Sequence, residues 1–94
     1  MKPSAANWTY LTNHTHVLVC LLRDPDSRIR DIAAKVGVTE RAVQRMVSEL
    51  SDAKVLTIKK SGRRNSYEIA LDAPLRHEVE AGHTVGELLD FLMG

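Results

Sequence analysis

Arg41, Gln44 and Arg45 fall within the stretch TERAVQRMVSEL, whose apolar residues Val43, Met46, Val47 and Leu50 recur at helical spacing. That spacing puts the four apolar residues on one side of a helix and Arg41, Gln44, Arg45 and Ser48 on the other. Arg and Gln form paired hydrogen bonds with guanine and adenine edges, so this polar face suits a DNA major groove. Thr39 and Ser48 are short hydroxyls suited to phosphate oxygens, and a helix N-terminus itself draws phosphate. Glu40, in the first turn, reads as a partner of the helix dipole rather than a base reader. Farther on, KKSGRRNS gathers Lys59, Lys60, Arg63 and Arg64 around one turn. Those cations can reach flanking phosphates or a narrow minor groove. Arg28 and Arg30 supply two more phosphate contacts upstream. The plain alternative is a solvated helix face followed by a strand edge protected by charge. The ordered combination of the two favours nucleic-acid contact.

These side chains need a scaffold, and the periodicity predicts one. Ile29, Ile32, Ala33 and Val36 form a single buried stripe, predicting a helix over 30–36 that Gly37 ends. Thr39 caps a second helix over 39–53. Ahead of them, Leu11 to Arg23 reads as a helix over 11–23 stopped by Asp24-Pro25. After Lys54 the period becomes two, which predicts a hairpin of strands over 55–60 and 66–71. A short extra strand fits at Arg28-Ile29. Thr84 and Glu87 match a capping box at the start of a last helix over 84–93. The fold class is therefore mainly α with a small β-hairpin. Residues 1–10 read as an arm whose Trp8 and Tyr10 are expected to dock on the body, and 72–83 as an irregular linker. Net charge is zero over 1–26, +5 over 27–71 and −4 over 72–94, which directs the middle of the chain toward a polyanion.

Helix, helix, glycine turn, helix and basic hairpin follow one another with the dimensions of a helix-turn-helix and its wing. Residues 28–58, RIRDIAAKVGVTERAVQRMVSELSDAKVLTI, with KKSGRRNSYEI after them, resemble winged helix-turn-helix bacterial transcription regulators. The resemblance is strongest to small regulators of MarR-like or Lrp/AsnC-like type. It rests on the Asp31-Ile32-Ala33 pattern before Gly37, the Val38-Thr39 turn, the run Val43-Gln44-Arg45 and the exit from Leu50 to Leu56. It implies a sequence-specific binder of double-stranded DNA with its domain over 11–71 and an added C-terminal amphipathic helix over 84–94. On that reading Arg41, Gln44 and Arg45 read bases, and Thr39, Ser48, Arg28 and Arg30 grip phosphates. Lys59, Lys60, Arg63 and Arg64 form the wing contact. The long flanking helices of MarR proteins and the separate effector domain of Lrp proteins have no counterpart in this sequence.

Other functions are weaker. No phosphate-binding loop, HExxH or G-x-S-x-G occurs, so no enzyme, cofactor or metal is expected. Cys20 is the lone cysteine, which excludes an internal disulfide and fits a reduced cytoplasmic protein. The apolar run Val17 to Leu22 is too short for a membrane span. A metal-sensing repressor is one alternative: His16 and Cys20 share a helix face, and His77 or His83 would arrive from the tail. Cys20, inside an apolar run, reads more simply as a small buried hydrophobe. A winged helix serving only as a protein-interaction module is another alternative, which the basic wing and polar helix face argue against.

The two ends of the chain predict a homodimer. The first helix is apolar all round near Val17 to Leu22, and the last carries Val85, Leu88, Leu89 and Leu92 on one stripe. The expected interface is Val17, Leu21, Val85, Leu88, Leu89 and Leu92. Two-fold pairing would set two reading helices about 34 Å apart, which implies a near-palindromic operator.

Overall fold

The computed structural model describes residues 8–94. Three of its α-helices begin where a threonine side chain accepts a free amide. Thr12 accepts the Thr15 N–H at the start of α1 (Asn13–Arg23), and Thr39 accepts the Ala42 N–H at the start of α3 (Glu40–Asp52). Thr84 and Glu87 make the reciprocal capping box at the start of α4 (Val85–Met93), with bonds of 3.1 and 2.8 Å. Between α1 and α3 lies α2 (Ile29–Val36), whose N-cap residue Arg28 gives no side-chain bond. Gly37 ends α2 with φ of 86°, a left-handed conformation that costs a residue with a Cβ 1–2 kcal/mol, by order of magnitude about the worth of a helix cap. The Gly37 and Val38 amides both donate to the Ala33 carbonyl, which closes the turn between α2 and α3.

A two-stranded antiparallel sheet follows, β1 (Leu56–Ser61) and β2 (Arg64–Ile69). Leu56 pairs with Ile69, Ile58 with Tyr67 and Lys60 with Asn65. The connection is the two residues Gly62-Arg63, shorter than the sequence suggests, so β2 starts two residues earlier than expected and stops at Ile69. Leu71 leaves the strand, and its carbonyl instead accepts the Gly86 N–H at 2.8 Å. No strand forms at Arg28-Ile29, because Arg28 caps α2 and Ile29 is already helical. Its place is taken by one bond, from the Tyr67 N–H to the Pro25 carbonyl at 3.0 Å.

One core joins all these elements. It contains Val17, Leu18 and Leu21 of α1, Ile32 and Ala33 of α2, Val43, Met46, Val47 and Leu50 of α3, Val55 and Leu56, Tyr67, and Val85 and Leu89 of α4. This placement corrects one expectation, the dimer contact. Residues 72–83, expected as an irregular linker, run as a return loop. The loop carries a 3-10 turn at Glu78–Glu80 and is tied by a Pro74–Thr84 bridge and by the Val85 N–H to the Ala73 carbonyl. Val17, Leu21, Val85 and Leu89, expected at a dimer contact, lie inside the single chain at 5% exposure or less, because α4 folds back and covers α1. Leu88 and Leu92 stay half-buried at the edge. The docking expected of Trp8 and Tyr10 does not occur: they are 62% and 92% exposed and meet each other edge to face at 5.0 Å.

Two substitutions test the seating of α4. Leu89→Ala should lower unfolding free energy by about 2–5 kcal/mol, read as a shifted urea midpoint at unchanged slope, whereas a detached tail would give no shift. Gly86→Ala should cost about 1–3 kcal/mol, because a Cβ there would stand 2.7 Å from the backbone oxygen of Leu71.

Candidate nucleic-acid interface

The polar face of α3 follows from how the helix is buried. Val43, Met46, Val47 and Leu50 turn inward, so Arg41, Gln44, Arg45 and Ser48 turn outward, and all four are exposed. Thr39, also exposed, accepts the Ala42 N–H at 3.0 Å through its hydroxyl oxygen and keeps its own proton for an outside acceptor. Helix N-terminus, hydroxyl and guanidinium groups therefore share one open surface. Arg28 and Arg30, at the start of α2, are exposed as well.

The wing is less uniform than its sequence. Lys59 pairs with Glu68 across the hairpin at 3.3 Å, and the Arg64 guanidinium donates to the Asp26 carbonyl at 2.8 Å. Arg64 thereby pins the hairpin to the loop before α2. Lys60 and Arg63 are exposed and form no ion pair among the described residues, which leaves them the freest cations at the tip.

The sequence did not disclose a three-residue contact on α3. Glu49 Oε1 accepts from His14 Nε2 of α1 at 2.7 Å and from Arg45 Nη1 at 3.4 Å. Arg45 and Glu49 are four residues apart, a pairing the helical spacing could have shown. His14 is 35 residues from Glu49, and nothing local points to it. The hydrogen bond from His14, with a smaller pull from Arg45, holds the Glu49 carboxyl below its ordinary range. Arg45 is thus tethered toward the C-terminal end of α3, and the tether reaches α1.

The residues considered for a metal are scattered over separate contacts. His16 Nδ1 lies 2.9 Å from Asn13 Oδ1, His77 Nδ1 accepts the Val79 N–H, and His83 lies 3.7 Å from Glu87. Cys20 is a free, half-buried thiol. Among the described residues no three His, Cys, Asp or Glu side chains stand together as metal ligands. No described helix is long and apolar enough to cross a membrane.

Comparison with known proteins agrees with this geometry. Residues 12–57 match a family described as winged helix-turn-helix DNA-binding, from the cap of α1 into β1. Among solved structures, the chain is similar to the crystal structure of the AntR antimony-specific transcriptional repressor. The likeness covers 99% of this chain and 89% of that one, at a TM-score of 0.55 and 20% sequence identity. No curated protein matches the sequence. The observed architecture, four helices and an antiparallel hairpin, carries the helix-turn-helix and the wing in the expected order. Residues 12–57 of this chain match the winged helix-turn-helix DNA-binding family, and with β1 and β2 after them the chain has the winged helix-turn-helix fold.

Proposed function

We propose that the protein is a transcriptional regulator that reads a specific double-stranded DNA sequence with α3 in the major groove. The observation that carries this reading is the exposure of Arg41, Gln44, Arg45 and Ser48 on the single face of α3 that the core leaves free. Arg41, Gln44 and Arg45 contact base edges, while Thr39, Ser48, Arg28 and Arg30 contact phosphates. Lys60 and Arg63 lead the wing contact, with Lys59 and Arg64 completing it once their present partners yield. Likeness in fold to a transcriptional repressor supports a regulatory role. A double-stranded DNA target is favoured over duplex RNA, because the deep, narrow RNA major groove does not admit a helix. The single cysteine suits a reduced cytoplasmic setting.

The dimer belongs to the same reading, with a different interface from the one its apolar pattern suggests. With the inner faces of α1 and α4 packed on each other, the remaining apolar surface of α4 is Phe91, 82% exposed, and Met93, 39% exposed, with half-buried Leu88 and Leu92 beside them. Pairing through this outer face sets two copies of α3 side by side on a near-palindromic operator.

After selection of a preferred duplex from a random library, Gln44→Ala or Arg45→Ala should weaken binding by about 1–3 kcal/mol and relax preference at one base pair. Arg63→Ala should weaken all duplexes alike and flatten the salt dependence by about one unit of slope. An Arg41/Gln44/Arg45 triple alanine variant that binds as tightly as the parent would remove α3 from the interface. Affinity insensitive to salt would point instead to a protein-docking module. In sedimentation at micromolar concentration the parent chain should be a dimer and Phe91→Asp a folded monomer with the parent's far-ultraviolet circular dichroism, melting somewhat lower because it has lost the stabilisation that association supplies; a monomeric parent would exclude the pairing.

A further inference from the structure

We propose that His14 and Glu49 are positioning residues that aim the Arg45 guanidinium and so sharpen discrimination at the base pair it reads, an inference that rests on the DNA-reading assignment above. The three side chains make a series of contacts from α1 to the outward face of α3. His14 Nε2 donates to Glu49 Oε1 at 2.7 Å, and Arg45 Nη1 donates to the same oxygen at 3.4 Å. The Glu49 carboxyl is held below its ordinary range, and an ionised carboxylate only accepts. The proton facing it therefore stays on His14 Nε2 whether the ring is neutral or charged.

Each end of the series suits its part. Val17 and Leu18, three and four residues after His14, are buried, which sets His14 at the edge of the face that α1 turns to the core. Arg45 and Glu49 alone would be an exposed pair one helical turn apart, and such pairs restrain a side chain weakly. The bond from His14 restrains Glu49 from a second, packed helix. Asp52 and Arg76 line the same recess but pair with neither His14 nor Glu49 among the described residues. At the other end, a guanidinium carries five N–H donors in one rigid plane. Glu49 engages Nη1 and leaves the edge formed by Nε and Nη2 for the paired bonds that arginine makes to guanine O6 and N7. An arginine loses rotamer freedom when it docks on a base, and one already restrained loses less. Arg41 makes no ion pair among the described residues, so of the two arginines on this face only Arg45 is held in this way. Glu49 also brings a negative charge toward the duplex, which weakens every sequence alike. Discrimination, not affinity, is thus the quantity that reports positioning.

The test uses the full chain, a duplex selected from a random library, and duplexes carrying the other base pairs at the position that Arg45→Ala identifies. The ratio of affinities between them is read, because a loss of folded protein lowers all of them alike. His14→Ala should cut this ratio about threefold to tenfold and leave ratios at other positions unchanged. His14→Gln, whose amide N–H can take the place of Nε2–H, should restore most of it. In the Arg45→Ala background, His14→Ala should change nothing further. Without DNA, nitrogen relaxation at Arg45 Nε should show a more mobile side chain in His14→Ala and in Glu49→Ala than in the parent. A ratio unchanged or raised in His14→Ala, an equal loss in the Arg45→Ala background, or an Arg45 as mobile in the parent as in the variants would each overturn the positioning role alone. Arg45→Ala with every ratio unchanged would instead remove Arg45 from the bases, and would overturn its DNA-reading assignment together with this inference.

Discussion

Helix α3 has two jobs, and one helix can bury only one face. Val43, Met46, Val47 and Leu50 take the inward side and contribute four of the residues around which α1, α2 and β1 pack. That burial is worth about 1.5–3 kcal/mol for each large apolar side chain, far more than any exposed ion pair on the other side. Core packing, not polar contacts, therefore fixes the rotation of α3, and with it the direction of Arg41, Gln44, Arg45 and Ser48. The turn at Gly37 sets the angle between α2 and α3, and the Thr39 cap makes α3 begin at the exposed surface. The Glu49 contacts with His14 and Arg45 adjust one side chain within a geometry already determined.

The remainder of the chain completes the core. A domain of this length buries only about 60% of its unfolded surface, and each element must find a neighbour. Leu71, past the end of β2, holds Gly86 through its carbonyl, and the bridge from Pro74 to Thr84 brings the chain back. Helix α4 then covers α1 with Val85 and Leu89. The acidic tail thus covers α1, while the cationic wing projects from the hairpin. Phe91 is left exposed because it stands on the side of α4 away from the buried Val85 and Leu89.

What was legible in the sequence is what short-range chemistry decides. Thr39 and Thr84 as caps, Gly37 as a helix stop, and the two faces of α3 follow from spacings of three and four residues, and these elements form where expected within one or two positions. What was hidden is decided by contacts between distant parts of the chain. The start of β2 depends on a two-residue turn, and its end depends on Leu71 being drawn to Gly86. The apolar belt of α1 looks the same in sequence whether its cover is a partner or the chain's own tail. Only the packing of α4 distinguishes them, and it buries Val17, Leu21, Val85 and Leu89 together. His14 on Glu49 belongs to the same class, as does the pinning of Arg64 to the Asp26 carbonyl.

On the proposed reading the outward face of α3 and the tip of the wing touch DNA while α4 does not. Its most direct test is a titration of the isotopically labelled chain with a selected duplex, read residue by residue from backbone amide shifts. Large shifts are expected for Thr39 to Ser48 and for Gly62 to Arg64, fading as salt is raised, with α4 unmoved except near its outer face. Shifts concentrated in α1 and the return loop, with Arg41, Gln44 and Arg45 unmoved, would contradict it.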